Sequence, residues 1–311
     1  MVVQTGRQGA RQRLRDLRHV PVLPSLITLG NVFFGFLAMA KVADAALSSS
    51  LPPDFAAVKP TFELAALLVF VAMVFDAIDG TVARLTNQAT KFGAQLDSLA
   101  DVVTFGAAPA FIAKVMMEFA ARTDPSLLPL KPKLFYGAAV IYLLCAAMRL
   151  ARFNVETASP DAEDHREFKG LPSPAAAAVV CAMVAFYCAP PDEHTFSRAI
   201  LPEVVTRNVL PALPVVVTLL GLLMVSRFPF PHLVNSVFRR GHSFPYLASL
   251  VVLVVVAAVE WQFALLAITV AYVIGGLVLG VYRLVRRGSM DPPPRSVDDD
   301  DPAELVEGRF N

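Results

Sequence analysis

Four aspartates lie close together in the first third of the sequence, inside or beside long apolar runs. Asp76 and Asp79 are three residues apart, and Asp97 and Asp101 are four residues apart. On an α-helix, either spacing places both side chains of a pair on one face. Ionisable groups are costly to hold in a membrane segment and therefore indicate a functional site. Two neighbouring helices joined by a short loop could point all four carboxylates at one locus.

The chemistry that suits such a locus is metal binding. Four carboxylates brought together without compensation would repel one another, and a divalent cation or a pair of cations would offset that repulsion. A ligand set made of oxygen atoms alone, without His or Cys, suits Mg²⁺ or Mn²⁺. The alternatives are that these acids form salt bridges between helices or line the proton path of a transporter.

Two glycines and an arginine accompany the aspartates. Gly80 directly follows the second aspartate, and Gly93 lies one turn before the third. Each removes a side chain at a point where a ligand could approach the backbone. Arg84 lies on the same helical stretch as the first pair and could hold a phosphate group through paired hydrogen bonds.

Long apolar helices must position these residues. Of the 311 residues, 56% are hydrophobic and 17% are charged, whereas soluble domains carry about 25% charged residues. Several apolar runs approach or exceed the ~20 residues that a membrane span needs, and they are too long and too uniform for barrel strands. We therefore expect an all-α fold, a polytopic membrane bundle of about eight transmembrane helices. The predicted spans are 22–46, 61–85, 94–120, 133–155, 171–189, 208–226, 243–259 and 261–285.

Loop charges predict the orientation and the domain organisation. With the N-terminus in the cytoplasm, most Lys and Arg residues of the loops fall on the cytoplasmic side, as the positive-inside rule requires. Both termini and the aspartates then face the cytoplasm, although the last two spans could instead form a re-entrant pair. We expect a basic cytoplasmic segment at 1–21, a transmembrane domain at 22–287 and a disordered acidic tail at 288–311. We expect no nucleic-acid partner.

The complete spacing pattern resembles that of the CDP-alcohol phosphotransferase family, D-x-x-D-G-x-x-A-R-x8-G-x-x-x-D-x-x-x-D. The sequence matches this pattern at Asp76, Asp79, Gly80, Ala83, Arg84, Gly93, Asp97 and Asp101. The resemblance implies a transferase with two Mg²⁺ or Mn²⁺ ions, bound by the first three aspartates. It implies that Asp101 lies at the metals, completes their ligand set and acts as the general base. It also implies that the CDP moiety is contacted by Gly80, Arg84 and Thr90, with Gly93 beside them.

Further stretches resemble one branch of that family, the membrane-bound phosphatidylserine synthases of bacteria and archaea. They are Pro24–Asn31, Leu99–Ala110, Arg149–Asn154 and Phe168–Pro174. This resemblance implies transfer of a phosphatidyl group from CDP-diacylglycerol to the hydroxyl of L-serine, with phosphatidylserine and CMP as products. It also implies a homodimer, surrounded by membrane lipids in the inner (cytoplasmic) membrane of a bacterium.

Polar residues at the end of the fourth predicted span could bind the acceptor. Arg149 and Arg152 fall at its cytoplasmic end, and Lys169 lies in the loop that follows. Each could receive the serine carboxylate or a phosphate, and Asn154 could add a neutral hydrogen bond. The alternative role for the basic residues is the positive-inside bias and contact with lipid headgroups.

Several alternatives remain open from the sequence. Thr28 and Asn31 lie in the first predicted span and could face the nucleotide of CDP-diacylglycerol, with helix packing as the alternative. The acceptor could instead be glycerol 3-phosphate, inositol phosphate or another amino alcohol, and the donor an archaeal-type lipid. Outside the family, the rival is a proton-coupled transporter, which would need its acids near the bilayer midplane. We expect direct transfer, because no cysteine or histidine is placed to act as a covalent carrier.

Overall fold

Helices account for every regular element in the part of the chain that the computed structural model describes. The described residues are 22–48, 54–85, 90–126, 128, 130–157, 170–190, 203–226, 228, 230 and 259–287. The α-helices among them are α1 (Val22–Ser48), α2 (Phe55–Leu85), α3 (Lys91–Asp101), α4 (Ala108–Thr123), α5 (Pro132–Thr157), α6 (Ser173–Cys188), α7 (Glu203–Val225) and α8 (Trp261–Arg287). The all-α fold predicted from the sequence is confirmed.

A π-helical segment, Val102–Ala107, joins α3 to α4 without a break. At its end the N–H of Ala108 donates to the carbonyl of Val103, five residues earlier, which is the wider hydrogen-bonding step of a π-helix. The resulting rod is the central helix of the bundle. In its apolar stretch 61% of the residues are buried, compared with 22–44% in the other candidate spans.

Six helices are long and apolar enough to cross a membrane, counting the rod of α3 and α4 as one. The chain is thus an integral membrane protein. α6 corresponds to the predicted span 171–189, but it is a helix of only 16 residues, or about 24 Å at 1.5 Å per residue. It is buried over nearly all its length because α2, α7 and α8 pack around it.

Helix α1 packs closely against both α2 and the central rod. The rings of Phe34 and Phe75 lie 5.0 Å apart, and a Cβ at Gly30 would lie 2.7 Å from Cδ1 of Phe75. The missing side chain at Gly30 therefore lets the two helices approach closely. This approach sets the position of Asp76, the residue after Phe75.

Two backbone hydrogen bonds join the segment before α6 to the C-terminal end of α7 and the residues after it. The N–H of Gly170 donates to the carbonyl of Phe228 at 2.9 Å, and the N–H of Leu171 donates to that of Leu223 at 3.1 Å. Gly170 has a φ of 96°, a conformation that glycine adopts without strain. A Cβ at Gly170 would also lie 2.4 Å from the carbonyl oxygen of Met224. These bonds fix where the first turn of α6 begins.

Some sequence predictions concern residues outside the described part of the chain. They are the basic segment 1–21, the acidic tail 288–311, residues 243–258 of the seventh predicted span, Lys169 and the side chain of Arg84. The other predicted spans each coincide with a described helix.

Candidate metal and substrate site

Three of the four predicted aspartates converge on one point. Asp76 belongs to α2, and Asp97 and Asp101 belong to α3, the next helix along the chain. One carboxylate oxygen from each lies within 4.8 Å of the others, and the carboxyl groups of Asp76 and Asp101 lie side by side. The helical spacings are the local cause, because they turn both members of the α3 pair toward α2.

Asp79 lies at the side of this group of three. Its carboxylate lies against the Thr28 hydroxyl and the Gly80 N–H. It is close enough to Asp76 and Asp97 to repel their charges, but its oxygens do not belong to the convergent group among the described residues. Asp79 therefore links the cluster of the other three aspartates to α1.

The cluster has the donor atoms that a divalent cation needs. Oδ1 of Asp101 and Oδ2 of Asp79 are buried and have no hydrogen-bond partner among the described residues. A buried carboxylate oxygen without a partner is costly, and a hard cation would satisfy it with the ligand type that Mg²⁺ and Mn²⁺ prefer. The residues present therefore fit a metal site.

A positive charge faces the cluster from α5. The Arg149 guanidinium interacts electrostatically with Asp101, and its Nη1 donates a hydrogen bond of 2.9 Å to Oγ of Ser173. Ser173 is fully buried at the start of α6. An arginine has five N–H donors in one plane, so this bond leaves donors available for a ligand beside the aspartates.

The other candidates for acceptor binding lie further along α5. Oδ1 of Asn154 accepts a hydrogen bond of 3.0 Å from the Ser98 hydroxyl, which ties α5 to α3. Arg152 is half-buried on the same helix. Arg149, Arg152 and Asn154 are thus on the helix that faces α3, and Lys169 lies outside the described residues.

Thr90 and the two glycines shape the helix ends beside the cluster. Thr90 is the N-cap of α3, and its hydroxyl oxygen accepts a hydrogen bond of 3.0 Å from the N–H of Gly93. Such a cap satisfies one of the free N–H groups of a helix start. A Cβ at Gly80 would meet no other atom within 4 Å. The backbone beside Asp79 therefore borders open space in which a ligand can lie.

Two polar residues of α1 are buried, and one of them lies against the cluster. The Thr28 hydroxyl donates to the carbonyl of Pro24 at 3.1 Å, besides lying against Asp79. Asn31 is 0% exposed, and neither Oδ1 nor Nδ2 of its amide has a partner among the described residues. Because a buried amide without a hydrogen bond is costly, Asn31 is a candidate ligand contact.

Three further residues lie near the site, and their roles were not predicted from the sequence. Ser173 holds Arg149, Tyr272 of α8 lies within electrostatic range of the same guanidinium, and the Tyr142 hydroxyl donates to the carbonyl of Phe105 at 3.1 Å. Only Ser173 carries a local signal, since it follows the Gly-Leu-Pro turn at the start of α6. The two tyrosines lie in ordinary apolar stretches.

Comparison with known proteins gives one family match. The model of the CDP-alcohol phosphatidyltransferase family matches residues 21–220, a segment that contains the aspartate cluster and Arg149. α8 lies beyond it.

Similar proteins include synthases from a bacterium, a yeast and an archaeon. The CDP-diacylglycerol–serine O-phosphatidyltransferase of Helicobacter pylori is 29% identical over 68% of this chain and 72% of its own length. That of Saccharomyces cerevisiae is 35% identical over 52% of each chain. The archaetidylserine synthase of Methanothermobacter thermautotrophicus is 31% identical over 51% of this chain and 55% of its own. The chain thus spans only about half the length of the last two.

Proposed function

Because the chain belongs to the CDP-alcohol phosphatidyltransferase family, we propose that it transfers a phosphatidyl group from CDP-diacylglycerol to the hydroxyl of L-serine. The products are phosphatidylserine and CMP. The convergence of Asp76, Asp97 and Asp101 is the observation that carries the proposal, since phosphoryl transfer depends on neutralising charge at the reacting phosphate. The serine acceptor is supported by the names of relatives that act on serine.

We propose that the four aspartates together bind two metal ions, either Mg²⁺ or Mn²⁺. Asp76, Asp97 and Asp101 supply the convergent oxygens, and Asp79 supplies a buried oxygen without a partner at their side. When bound, the ions neutralise charge on the pyrophosphate of the donor and on the departing CMP.

Asp101 is the general base in this proposal. It takes the proton from the serine hydroxyl, so that the hydroxyl oxygen attacks the phosphorus attached to diacylglycerol and the bond to CMP breaks. The carboxylate of Asp101 has two oxygens, so one can contribute to the metal site while the other accepts the proton at hydrogen-bond distance. The cysteines at 145, 181 and 188 are buried in the helices, so we propose direct transfer without a covalent intermediate.

Recognition of serine is assigned to α5. Arg149 uses one N–H donor for its bond to Ser173 and has further N–H groups for a ligand. Its planar guanidinium suits the two oxygens of a carboxylate. It lies beside Asp101, so a serine whose carboxylate it holds places its hydroxyl near the base. Arg152, Asn154 and Lys169 are further candidates around this position.

The nucleotide of CDP-diacylglycerol is assigned to the opposite side of the cluster. Gly80 borders open space, and the buried amide of Asn31 in α1 has no hydrogen-bond partner among the described residues. The remaining predicted contacts on this side are Thr28, Arg84, Thr90 and Gly93. In sequence these residues belong to the first turns of α1, the last turn of α2 and the start of α3.

The placement of the enzyme in the cell follows from its substrates and loop charges. CDP-diacylglycerol lies in the bilayer, and serine and CMP are water-soluble. We therefore propose that both termini and the aspartate cluster lie at the cytoplasmic face of the membrane. The resemblance to bacterial synthases further supports a homodimer in a bacterial inner membrane.

The decisive experiment measures CMP release by the purified chain in detergent micelles that contain CDP-diacylglycerol. Serine, glycerol 3-phosphate and inositol phosphate are supplied separately, each with Mn²⁺, with Mg²⁺ or with EDTA. We expect release that requires both serine and a metal, with phosphatidylserine as the lipid product. Release with another acceptor would overturn serine while keeping the family chemistry. Folded protein that releases no CMP with any acceptor would favour the proton-coupled transporter.

A further inference from the structure

The last described helix brings one polar aromatic residue toward Arg149. α8 lies outside the segment that the family model matches. It packs against α6, whose first residue, Ser173, accepts the hydrogen bond from Arg149. Tyr272 of α8 is half-buried and packs against the core, whereas Tyr282 of the same helix is 53% exposed. The two tyrosines therefore mark the inner and outer faces of α8.

Phe230 connects Tyr272 to the chain that enters α6. The rings of Phe230 and Tyr272 lie 6.0 Å apart at 40°. A Cβ at Gly276 would lie 2.2 Å from Cδ1 of Phe230, so the backbone of α8 directly contacts this ring. Two residues earlier, the carbonyl of Phe228 accepts the hydrogen bond from Gly170. These contacts hold Tyr272 at the level of the first turn of α6, where Arg149 is bound.

Three groups lie near the Arg149 guanidinium. Ser173 accepts from Nη1, and both Asp101 and the phenol of Tyr272 lie within electrostatic range of the guanidinium. A single hydrogen bond leaves a guanidinium free to turn about that bond, whereas a second contact fixes its plane. A phenol oxygen can accept as well as donate, so Tyr272 can provide the second contact.

We propose that Tyr272 is a positioning residue that, together with Ser173, holds the Arg149 guanidinium in the plane that receives the carboxylate of the acceptor. The inference rests on the proposed function, because it takes serine as the acceptor. It assigns a part of the acceptor site to α8. The alternative is that Tyr272 only fills space against Phe230, and this role needs the ring but not the hydroxyl.

The test compares Tyr272→Phe, which removes only the hydroxyl, with Tyr282→Phe as a matched control on the exposed face of α8. The full chain is assayed in detergent with CDP-diacylglycerol and Mn²⁺, and kcat and both KM values are determined. For Tyr272→Phe we expect the KM for serine to rise about tenfold, as for loss of a hydrogen bond to a charged group. The KM for CDP-diacylglycerol and the midpoint of thermal unfolding should stay near wild type, and Tyr282→Phe should match wild type throughout.

A double-mutant cycle with Arg149→Lys tests whether the effect passes through Arg149. Lysine has no planar fork to orient, so adding Tyr272→Phe to Arg149→Lys should raise the KM for serine no further. An unchanged serine KM in Tyr272→Phe, or an equal rise in both backgrounds, would show that Tyr272 does not position Arg149. A wild-type protein that uses another acceptor but not serine would overturn the proposed function and this inference together, and that result appears without any variant.

Discussion

Gly35 of α1 and Thr104 of the π-helical segment lie in direct contact, with no room for a side chain between them. A Cβ at Gly35 would lie 2.5 Å from Oγ1 of Thr104 and 3.0 Å from its Cα. The Thr104 hydroxyl also donates to the carbonyl of Asn31 at 3.3 Å. Since Thr104 follows Asp101 by less than one turn, this contact helps to set where Asp101 lies relative to α1.

Gly35→Val should therefore force α1 away from the central rod. We expect the free energy of unfolding to fall by about 1–3 kcal/mol, the usual cost of overpacking, and CMP release to fall because Asp101 is displaced. Gly137→Ala in α5 is the control, since a Cβ there would meet no atom within 4 Å. Thermal unfolding and CMP release in detergent measure both effects. A Gly35→Val protein as stable and active as wild type would show that the two helices can separate freely.

Tyr142→Phe should destabilise the central rod by removing a hydrogen bond that α5 makes to it. The Tyr142 hydroxyl donates to the carbonyl of Phe105, and both residues are fully buried. Removing the donor leaves a buried carbonyl with one partner fewer, at a cost of about 1–3 kcal/mol. Tyr136→Phe, in the exposed part of the same helix, should leave stability unchanged. Chemical or thermal unfolding of both variants provides the comparison, and equal stability of the two would contradict the expected role of the bond.

Asp101→Asn should separate stability from activity. We expect CMP release to fall by at least ~100-fold, as for loss of a general base. In EDTA, however, the variant should unfold at or above the temperature of wild type, because asparagine keeps the size of the side chain and adds no negative charge beside the other two carboxylates. The control is Asp54→Asn at the exposed start of α2, where asparagine caps a helix as well as aspartate does. An Asp101→Asn variant that kept most of its activity would remove Asp101 from the role of base.

Metal removal should act on stability as well as on turnover. EDTA should abolish CMP release, and Mg²⁺ or Mn²⁺ should restore it. Adding Mn²⁺ should raise the unfolding temperature of wild type, since a ligand that binds only the folded state stabilises it. Asp76→Asn should reduce that rise, because Asp76 supplies one of the three converging oxygens. The same rise in Asp76→Asn as in wild type would place the ion elsewhere.

Ser173→Ala should weaken the binding of serine more than that of CDP-diacylglycerol. The variant removes the acceptor of the bond from Arg149 Nη1 and leaves the backbone bonds of Gly170 and Leu171 in place. We expect the KM for serine to rise about fivefold to tenfold. Steady-state kinetics with each substrate varied in turn would measure it. A rise only in the KM for CDP-diacylglycerol would assign Arg149 to the donor phosphate instead.

The aspartate cluster could be predicted from the sequence because its causes are local. Helical periodicity places Asp97 and Asp101 on one face, and the short connection between α2 and α3 brings Asp76 beside them. The predicted spans in the described part of the chain coincide with helices for a similar reason, since apolar runs of this length are helical in a membrane. No knowledge of distant contacts is needed for either prediction.

Features that depend on distant segments could not be predicted in this way. Val102–Ala107 is an ordinary apolar stretch, and its π-helical form is accompanied by bonds to Tyr142 and Asn31, which are remote in sequence. Hydropathy likewise could not show that α6 is buried by other helices and not by lipid, because both surroundings favour Ala and Val. The contact of Tyr272 with the surroundings of Arg149 joins segments more than a hundred residues apart.

The π-helical segment has a consequence for how the central rod tolerates change in length. A π-turn carries one residue more than the α-turn it replaces, and each residue of an α-helix rotates the next by about 100°. Deleting one residue between Val102 and Ala107 would let an unbroken α-helix form with both halves still facing their partners, whereas an α-helix that kept every residue would rotate one half by about 100° relative to the other. The π-turn therefore accommodates one extra residue between the half that carries the aspartates and the half that packs in the core, which lets each half keep its own face.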